Sequence, residues 1–360
     1  MIVFVLGTSA EAIKVAPLAR RLNDKGQPYE CWLTMQHGER LNDSLDNLGF
    51  LGERTIIPNG NKGKSLKNSG DALKWLVSVI SWFVLNYFKN RKQFSHNNSI
   101  FIVHGDTLTT VLGTVFAKLL GVPSAHIEAG LRSGDWRNPF PEELDRRIAG
   151  KLSTIDYVPT AEAVEHLSKK KNVVFTHGNT AIDAVLDEMK SPKQAESNKY
   201  AVCLLHRFEL LNNSDLVRKS LELINQNSAV KVRLFLDEFS GEIIRPILKE
   251  INSANIYPEF KLPYTEFVSV LAQSEFVITD SGGIQAEAAL LGVPTLVHRM
   301  ATEQFEGIGE NIELSRWNLE ILDDFVAGYE QRRKAPKKPQ YSPTEIIMKD
   351  LERRGYVDDK

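Results

Sequence analysis

The sequence has little cysteine, no excess of charge of either sign and no long hydrophobic run. Its only two cysteines, Cys31 and Cys203, both fall in apolar, strand-like segments of the 360-residue chain. We therefore expect two buried, reduced thiols rather than a disulfide. Lysine and arginine total 44 against 46 for aspartate and glutamate, a formal net charge of -2. This balance argues against nucleic acid as a partner, because such binding needs a basic face.

A membrane-spanning run is missing as well. Residues 75–88 are almost continuously apolar, but they fall short of the roughly 20 residues needed to cross a bilayer. We expect a buried or subunit-interface helix here. A helix lying at a membrane surface is the alternative, and Lys89, Arg91 and Lys92 suit either one. The N-terminal segment reads as a first strand without the charged region of a signal peptide, so we expect a cytoplasmic protein.

What the sequence does have is an alternation of short apolar runs with longer amphipathic ones. In the first half, strands are predicted at residues 2–6, 29–34 and 99–103, and helices at 11–23 and 109–120. After residue 179 the alternation restarts, with strands at 200–205, 230–235, 276–279 and 295–297 and a helix at 284–291. This pattern predicts parallel sheets with right-handed crossovers.

The length of 360 residues is too great for one ordinary core and predicts two domains. We expect an α/β protein with two Rossmann-like domains facing a cleft, over residues 1–178 and 179–343. A helix within residues 344–360 is expected to pack back onto the first domain.

Each half contains one strand–turn–helix junction of the kind that receives phosphate groups. Gly7 and Thr8 form the first, and residues 281–283 form the second. Glycine permits close backbone approach, and the N–H groups at a helix start favour an anion. Neither turn is a full dinucleotide fingerprint, so a structural role is the alternative for each. Glu287, one turn into the second helix, is placed to accept both hydroxyls of a ribose.

Acidic side chains follow the predicted strands of the first half. Asp106 and Glu128 come after two strands that can be neighbours, so we expect these two to share a pocket; Glu142 is a third candidate for an acid or base role. Carboxyl groups whose surroundings separate their pKa values are a usual acid and base pair. The alternative is that Glu128 and Glu142 form helical ion pairs with Arg132 and Arg146, each four residues further on.

Histidines at strand ends allow a second interpretation. Residues two apart on a strand face the same way, so His104 with Asp106, and His126 with Glu128, could ligate a metal. Their spacing matches no recognised metal motif, and we expect no metal. His206 follows a strand of the second half and is expected to face the cleft; a structural histidine is the alternative.

Taken together, these residues resemble the non-hydrolysing UDP-N-acetylglucosamine 2-epimerases. The matching pieces run in family order over nearly the whole chain: Gly7-Thr8 with Glu11-Ala12-Ile13-Lys14, Gln36-His37, His104-Gly105-Asp106-Thr107, Glu128-Ala129-Gly130-Leu131-Arg132, Pro141-Glu142-Glu143 with Arg146, Gly178-Asn179-Thr180 with Asp183, His206-Arg207, and Asp280-Ser281-Gly282-Gly283-Ile284-Gln285 with Glu287. The resemblance implies a glycosyltransferase-B-like fold, a homodimer, and a reaction that uses no nicotinamide, metal or other cofactor.

The resemblance also implies a mechanism. A base removes the C2 proton of the sugar while UDP leaves C1, and UDP adds back to the 2-acetamidoglucal after protonation from the opposite face. The catalytic residues implied are Asp106, Glu128, Glu142, His206 and Lys14. The substrate-binding residues implied are Gly7, Thr8, Gln36, His37, Arg132, Arg146, Arg207, Ser281, Gly282, Gly283 and Glu287. The product would supply an N-acetylmannosamine-type sugar for surface polysaccharide.

The sequence departs from the family at three positions where the family usually has a cationic side chain. Ser9, Phe208 and Gln304 stand where the family usually has arginine, and serine cannot imitate a bidentate guanidinium. Because these positions are expected around a diphosphate, an altered substrate is the main alternative: a modified UDP-HexNAc such as a diacetamido sugar or a uronate. A glycosyltransferase of the same fold is the alternative from another class.

Overall fold

The computed structural model describes residues 1–36, 40–61, 69–94, 98–132, 141–190, 198–302 and 306–358. The chain forms two compact α/β units, one of Met1–Asp187 with Gln340–Lys360 and the other of Glu188–Pro339. The prediction of two Rossmann-like halves is confirmed.

The first unit is built on a parallel sheet, seven-stranded within the described residues, in the order β3-β2-β1-β4-β5-β6-β7. The strands are β1 (Ile2–Leu6), β2 (Tyr29–Leu33), β3 (Glu53–Ile56), β4 (Ile100–His104), β5 (Ser124–Ile127), β6 (Ile155–Val158) and β7 (Val173–Phe175). The helices are α1 (Ser9–Asp24), α2 (Arg40–Leu48), α3 (Ser69–Phe94), α4 (Leu108–Leu120), α5 (Glu142–Leu152), α6 (Ala161–His166) and α7 (Ala181–Met189). Strands β1, β2, β4 and β5 are buried at every residue, as expected for a parallel sheet covered on both faces.

The second unit has a parallel sheet in the order β10-β9-β8-β11-β12-β13. Its strands are β8 (Tyr200–Leu204), β9 (Lys231–Leu236), β10 (Ile256–Phe260), β11 (Val277–Thr279), β12 (Thr295–Val297) and β13 (Ile312–Leu314). Its helices are α8 (Phe208–Leu211), α9 (Ser214–Asn227), α10 (Glu238–Glu250), α11 (Tyr264–Gln273), α12 (Gly282–Leu291) and α13 (Leu319–Gly328). Cys203 lies in its core, and Cys31 lies in that of the first unit; both thiols are buried and unpaired, as predicted.

The strand order of each sheet reverses at one place, and this positions the candidate site. The first sheet grows outward from β1 to β3 and then restarts on the other side of β1 with β4; the second does the same at β8 and β11. In open α/β sheets, ligands bind outside the carboxyl ends of the strands at such a switch point.

The last helix, α14 (Pro343–Arg353), packs on the first unit, as predicted. The backbone N–H of Thr344 donates to Asp183 at 2.7 Å, and Tyr157 donates to Asp350 at 3.0 Å. Arg21 of α1 contacts both Asp187 and Glu345. These contacts tie residues more than a hundred positions apart into one unit.

Helix α3 has two apolar faces rather than one. Trp75, Val79 and Phe83 are buried in the core of the first unit. On the opposite side Val77, Val84 and further apolar side chains are exposed. No helix among the described residues is long and apolar enough to cross a membrane.

Candidate functional site

The loops after β1 and β4 are joined through a buried carboxylate, Glu11. The N–H groups of Gly7 and Thr8 donate to Glu11 Oε2 at 2.7 and 2.8 Å, and the Thr107 hydroxyl also donates to Glu11. Thr8 in turn caps α1, completing a capping box with Glu11. A Cβ at Gly7 would lie 2.1 Å from the Thr109 hydroxyl, so only glycine fits. These two amides are engaged by the protein itself, and phosphate binding at this turn stays a prediction.

Glu128 follows β5 and gathers two hydrogen-bond donors and an imidazole of this unit around one oxygen. Its Oε2 accepts hydrogen bonds from Lys14 at 2.7 Å and from the Asn179 amide, and it lies 3.2 Å from His104 Nε2. Its backbone has φ of 65°, in the left-handed region that non-glycine residues rarely adopt. Such a conformation persists only where surrounding contacts enforce it and is a common mark of functional sites.

The ionisation of Glu128 is set by these partners. Burial alone would raise its pKa, but the charge of Lys14 and the neighbouring His104 outweigh burial and hold the pKa well below its usual value. Glu128 is therefore a carboxylate at neutral pH. It anchors the Lys14 ammonium and the Asn179 amide.

Asp106, two residues after β4, pairs with Arg146 of α5. Arg146 also lies 3.8 Å from Glu143, which Arg147 contacts at 2.9 Å. The alternative helical ion pairs are wrong: Arg146 binds Asp106 instead of Glu142, and Glu128 binds Lys14 and Asn179 instead of Arg132. Glu142 is the first residue of α5, and its Oε2 is buried without a hydrogen-bond partner in the described part of the chain.

Asp145, on the same helix, is a buried acid that the sequence interpretation missed. It is 3% exposed, and its Oδ2 has no hydrogen-bond partner within the described ranges. Burial, and then the negative charges of Glu142 and Asp106, raise the pKa of Asp145 to about 7.

The histidines do not form a metal site with these acids. The register pairs His104 with Ile127 and Val103 with His126, so His104 and His126 point to opposite faces of the sheet. His126 Nε2 lies 2.7 Å from the carbonyl oxygen of Gly105. No group of three or more metal-ligating side chains occurs among the described residues.

Other residues predicted to bind substrate lie around this edge. The Thr109 hydroxyl donates to Gln36 at 3.0 Å, which ties Gln36 to the start of α4. Arg132 donates to the carbonyl oxygen of Leu131 at 2.7 Å, and burial lowers its pKa. His37 lies outside the described residues.

In the second unit, Asp280 organises the switch point. Its carboxylate, fully buried after β11, accepts hydrogen bonds from the backbone N–H groups of His206 and Arg207, which follow β8. His206 Nδ1 lies 3.1 Å from Asp280 Oδ1, which leaves Nε2 as the outer nitrogen. Asp280 was predicted only as part of the motif, and here it positions His206 through the backbone N–H groups of the loop after β8.

The start of α12 follows the same edge. Ser281 precedes the helix without capping it through its side chain, and Gly282 and Gly283 form its first turn. A Cβ at Gly283 would meet nothing closer than the Ser281 hydroxyl at 3.8 Å. Among the described residues there is therefore room beside Gly283, and Glu287 lies half-buried one turn further along the helix.

Comparison with known proteins agrees with this arrangement. A sequence profile described as UDP-N-acetylglucosamine 2-epimerase matches residues 92–317. The chain is 30% identical over 369 aligned positions to the UDP-N-acetylglucosamine 2-epimerase of Campylobacter jejuni, covering 93% of this chain and 92% of the relative. It is 31% identical over 335 positions to the enzyme of that name from Bacillus subtilis, covering 84% and 80%.

The fold has close counterparts among solved structures. The crystal structure of UDP-GlcNAc 2-epimerase from Neisseria meningitidis bound to UDP-GlcNAc superposes with a TM-score of 0.74 at 24% identity, covering 98% of this chain and 99% of that one. At that identity the likeness shows the fold alone, which is the glycosyltransferase-B-like arrangement predicted from the resemblance.

Proposed function

Because this chain belongs to the UDP-N-acetylglucosamine 2-epimerase family, we propose that it interconverts UDP-GlcNAc and UDP-ManNAc. UDP is eliminated and then re-added to 2-acetamidoglucal, and the product supplies surface polysaccharide synthesis. The observation that carries the proposal is the group of carboxyl side chains, Asp106, Glu128 and Glu142, at the carboxyl ends of adjacent strands β4 and β5 and the start of α5. A transferase of this fold needs no such group.

The three acids take different roles. Glu128 stays ionised and holds Lys14 and Asn179, because its pKa lies well below the usual range. A carboxylate of such low basicity is poorly matched to proton transfer near neutral pH. We therefore assign the base and the proton donor to Asp106 and Glu142, which approach opposite faces of C2.

The nucleotide is assigned to the second unit. The imidazole of His206, which Asp280 orients, and the first turn of α12 are placed to meet the diphosphate. Glu287 accepts hydrogen bonds from the two ribose hydroxyls. Arg207 contributes the cationic charge that the diphosphate requires.

The test is proton NMR of the purified protein with UDP-GlcNAc in D₂O. Deuterium at C2 of the sugar, with UDP-ManNAc appearing, is the expected result. A new glycosidic product that forms only when an acceptor sugar is added would establish a glycosyltransferase instead.

A modified UDP-HexNAc is a second candidate substrate, because aromatic side chains occupy a position expected for a cation. Phe208, beside His206 and Arg207, is 63% exposed and stacks on Phe239 with ring centroids 6.1 Å apart. This apolar surface suits a more substituted sugar, such as a diacetamido sugar. Initial rates with UDP-GlcNAc and with a UDP-diacetamido sugar at equal concentration distinguish the two substrates.

We further propose that the protein is a homodimer joined through α3. Its exposed apolar side chains recur every three or four residues: Leu73 (62%), Val77 (56%), Ile80 (42%), Val84 (64%) and Phe88 (83%). That spacing is the seam of a helix pair, and a second copy of the same helix satisfies it about a two-fold axis. A location in the cytoplasm agrees with the unpaired thiols of Cys31 and Cys203.

A further inference from the structure

The turn that leads from β7 into α7 reaches the candidate site through the side chain of Asn179. Its amide N–H donates to Glu128 Oε2, the oxygen that also accepts from Lys14. Its amide oxygen accepts the backbone N–H of Ala181, the first residue of α7, at 2.9 Å. Because both ends of the amide are engaged, the position of this turn determines where the donor to Glu128 lies.

The backbone of the same turn is in a conformation that needs support. His177 has φ of 58°, in the left-handed region that favours glycine. A side chain persists there only where its surroundings enforce the conformation. The Thr176 hydroxyl supplies part of this support, since it lies 2.9 and 2.8 Å from the carbonyl oxygens of Val158 and Gly178.

The ring of Tyr341, two residues before α14, packs against this turn. It stacks on the His177 imidazole, with ring centroids 4.2 Å apart and planes inclined by 22°. The imidazole also packs on Phe175, the last residue of β7, with centroids 4.0 Å apart. Two aromatic rings therefore hold the imidazole, and with it the unfavourable backbone of His177.

The start of α14 contacts the same region. A Cβ built on Gly178 would lie 3.5 Å from Pro343, the first residue of α14. The next residue, Thr344, donates its backbone N–H to Asp183 of α7 at 2.7 Å. Residues 341–344 thus contact the β7–α7 turn and the helix that follows it at three places.

We propose that Tyr341 is a positioning residue for the candidate site. It holds His177, which places the Asn179 amide, and that amide fixes the Glu128 carboxylate that binds Lys14. The inference rests on the proposed epimerisation, for which the family resemblance implies Lys14 as a catalytic residue. When the Tyr341 ring is removed, the turn relaxes, and both the Glu128 carboxylate and the Lys14 ammonium lose their fixed positions.

The test compares Tyr341→Ala with Tyr341→Phe, which keeps the ring. Tyr341→Ala should lower the kcat of epimerisation by about 10- to 100-fold, because a small displacement of a catalytic group costs on that scale. UDP affinity should not change, since the nucleotide is assigned to the other unit, and Tyr341→Phe should keep the wild-type kcat. Initial rates and calorimetry measure both quantities. His177→Asn, which tolerates a positive φ but has no ring, should match Tyr341→Ala and takes its place if the alanine variant fails to fold.

A double-mutant cycle separates positioning from general loosening of the fold. Asn179→Ser keeps a side-chain oxygen that can accept the Ala181 N–H, but it lacks the amide group that donates to Glu128. It should lower kcat to a similar extent, and adding Tyr341→Ala to it should cause no further loss. Losses that multiply in the double variant, or a wild-type kcat in Tyr341→Ala, refute the proposal.

Tyr257→Ala is the matched control. Tyr257 is 42% exposed against 45% for Tyr341, and its ring lies 5.1 Å from the Lys231 ammonium on the sheet of the other unit. This variant should keep the wild-type kcat. A loss as large as that of Tyr341→Ala would show that removing any half-exposed tyrosine has the same effect, and it would overturn the proposal.

Failure of the proposed function gives a different result. The carboxyl ¹³C resonance of Glu128, assigned with Glu128→Gln, reports the Asn179 contact without turnover. Tyr341→Ala and Asn179→Ser should shift this resonance, and Tyr341→Phe should not. A wild type that places no deuterium at C2 of any UDP-HexNAc tested refutes epimerisation, whereas an unshifted Glu128 resonance in Tyr341→Ala refutes the positioning role of Tyr341.

Discussion

At the scale of single residues, proton transfer at C2 is the step that Asp106 and Glu142 are proposed to perform. Asp106→Asn and Glu142→Gln nearly preserve shape, so each should fold normally. Each should lower kcat by at least about 10²-fold, because proton transfer by a positioned side chain is worth 10²–10⁴-fold. UDP affinity should change little, since the nucleotide is assigned to the other unit. Steady-state assays and calorimetry check both points, and near wild-type turnover in both variants would disprove the mechanism.

A second residue-scale prediction concerns pH and His298. This histidine is fully buried between the Ser220 and Ser315 hydroxyls, at 3.0 and 2.8 Å, and burial lowers its pKa from 6.5 to about 4. Above pH 6.5 the imidazole is neutral in both folded and unfolded chains. As pH falls from 6.5 towards 4, only the unfolded chain gains the proton, so the free energy of unfolding falls by about 3 kcal/mol.

Urea unfolding at pH 7, 5.5 and 4.5 measures this loss. His298→Gln keeps hydrogen-bonding capacity but cannot titrate, and its stability should fall less over the same interval. An identical pH dependence in the two proteins would show that other groups cause the acid sensitivity.

Some residues of the candidate site could be predicted from the sequence. Asp106 and Glu128 follow short apolar runs, and their adjacency follows from strand order alone. Glu11 was missed as the group that holds the Gly7 turn, although Thr8 and Glu11 have the spacing of a capping box. The pairs Arg146–Asp106 and Asn179–Glu128 join residues 40 and 51 positions apart. They depend on how α5 and the β7–α7 segment pack, which no local pattern specifies.

At the scale of elements, several strongly apolar strands were predicted, whereas the edge strands and the buried inner strand β6 were not. β1, β8 and β12 were found within a residue of their observed bounds because each is an uninterrupted buried run. β3 and β10 lie at the outer edges of their sheets and are largely exposed, with glutamate, arginine or proline among their residues. Their sequences lack an apolar pattern because most residues of each strand are exposed or only partly buried.

The exposed apolar face of α3 leads to a second prediction at the scale of elements, which concerns the proposed dimer. The double variant Val77→Glu with Val84→Glu places charges in the exposed apolar seam without touching the buried Trp75 face. Sedimentation should give twice the 40.5 kDa chain mass for the wild type and a single chain mass for the variant. Leu51→Glu is the matched control, because Leu51 is 80% exposed but lies off α3, and it should remain dimeric.

Two results would contradict the α3 dimer. A wild type that sediments as a monomer and binds anionic lipid vesicles would establish the membrane-surface alternative. A double variant that is still a dimer would place the subunit contact on another surface.

At the scale of the whole molecule, each unit uses a buried carboxylate to hold the loops at its switch point. In the first unit the buried carboxylate of Glu11 accepts backbone N–H groups of the loop directly before it, and in the second unit that of Asp280 accepts N–H groups of the neighbouring loop. This fixes the loop shapes before any ligand arrives. We propose that the acids of the first unit carry out the proton transfers and that the imidazole and helix N-terminus of the second unit bind the nucleotide.

That division predicts how UDP alone affects the stability of the protein. UDP at a hundredfold its Kd should raise the free energy of unfolding by about 2.7 kcal/mol. Glu287→Ala removes the proposed ribose acceptor and should weaken UDP binding by about 2 kcal/mol, or roughly 30-fold. At the same UDP concentration the variant should then gain only about 0.9 kcal/mol.

Glu320→Ala, which replaces an exposed acid at the start of α13 in the same unit, is the control and should keep the full gain in the free energy of unfolding. Chemical unfolding with and without UDP measures all three proteins, and an undiminished gain in Glu287→Ala would rule out the placement of the ribose beside α12.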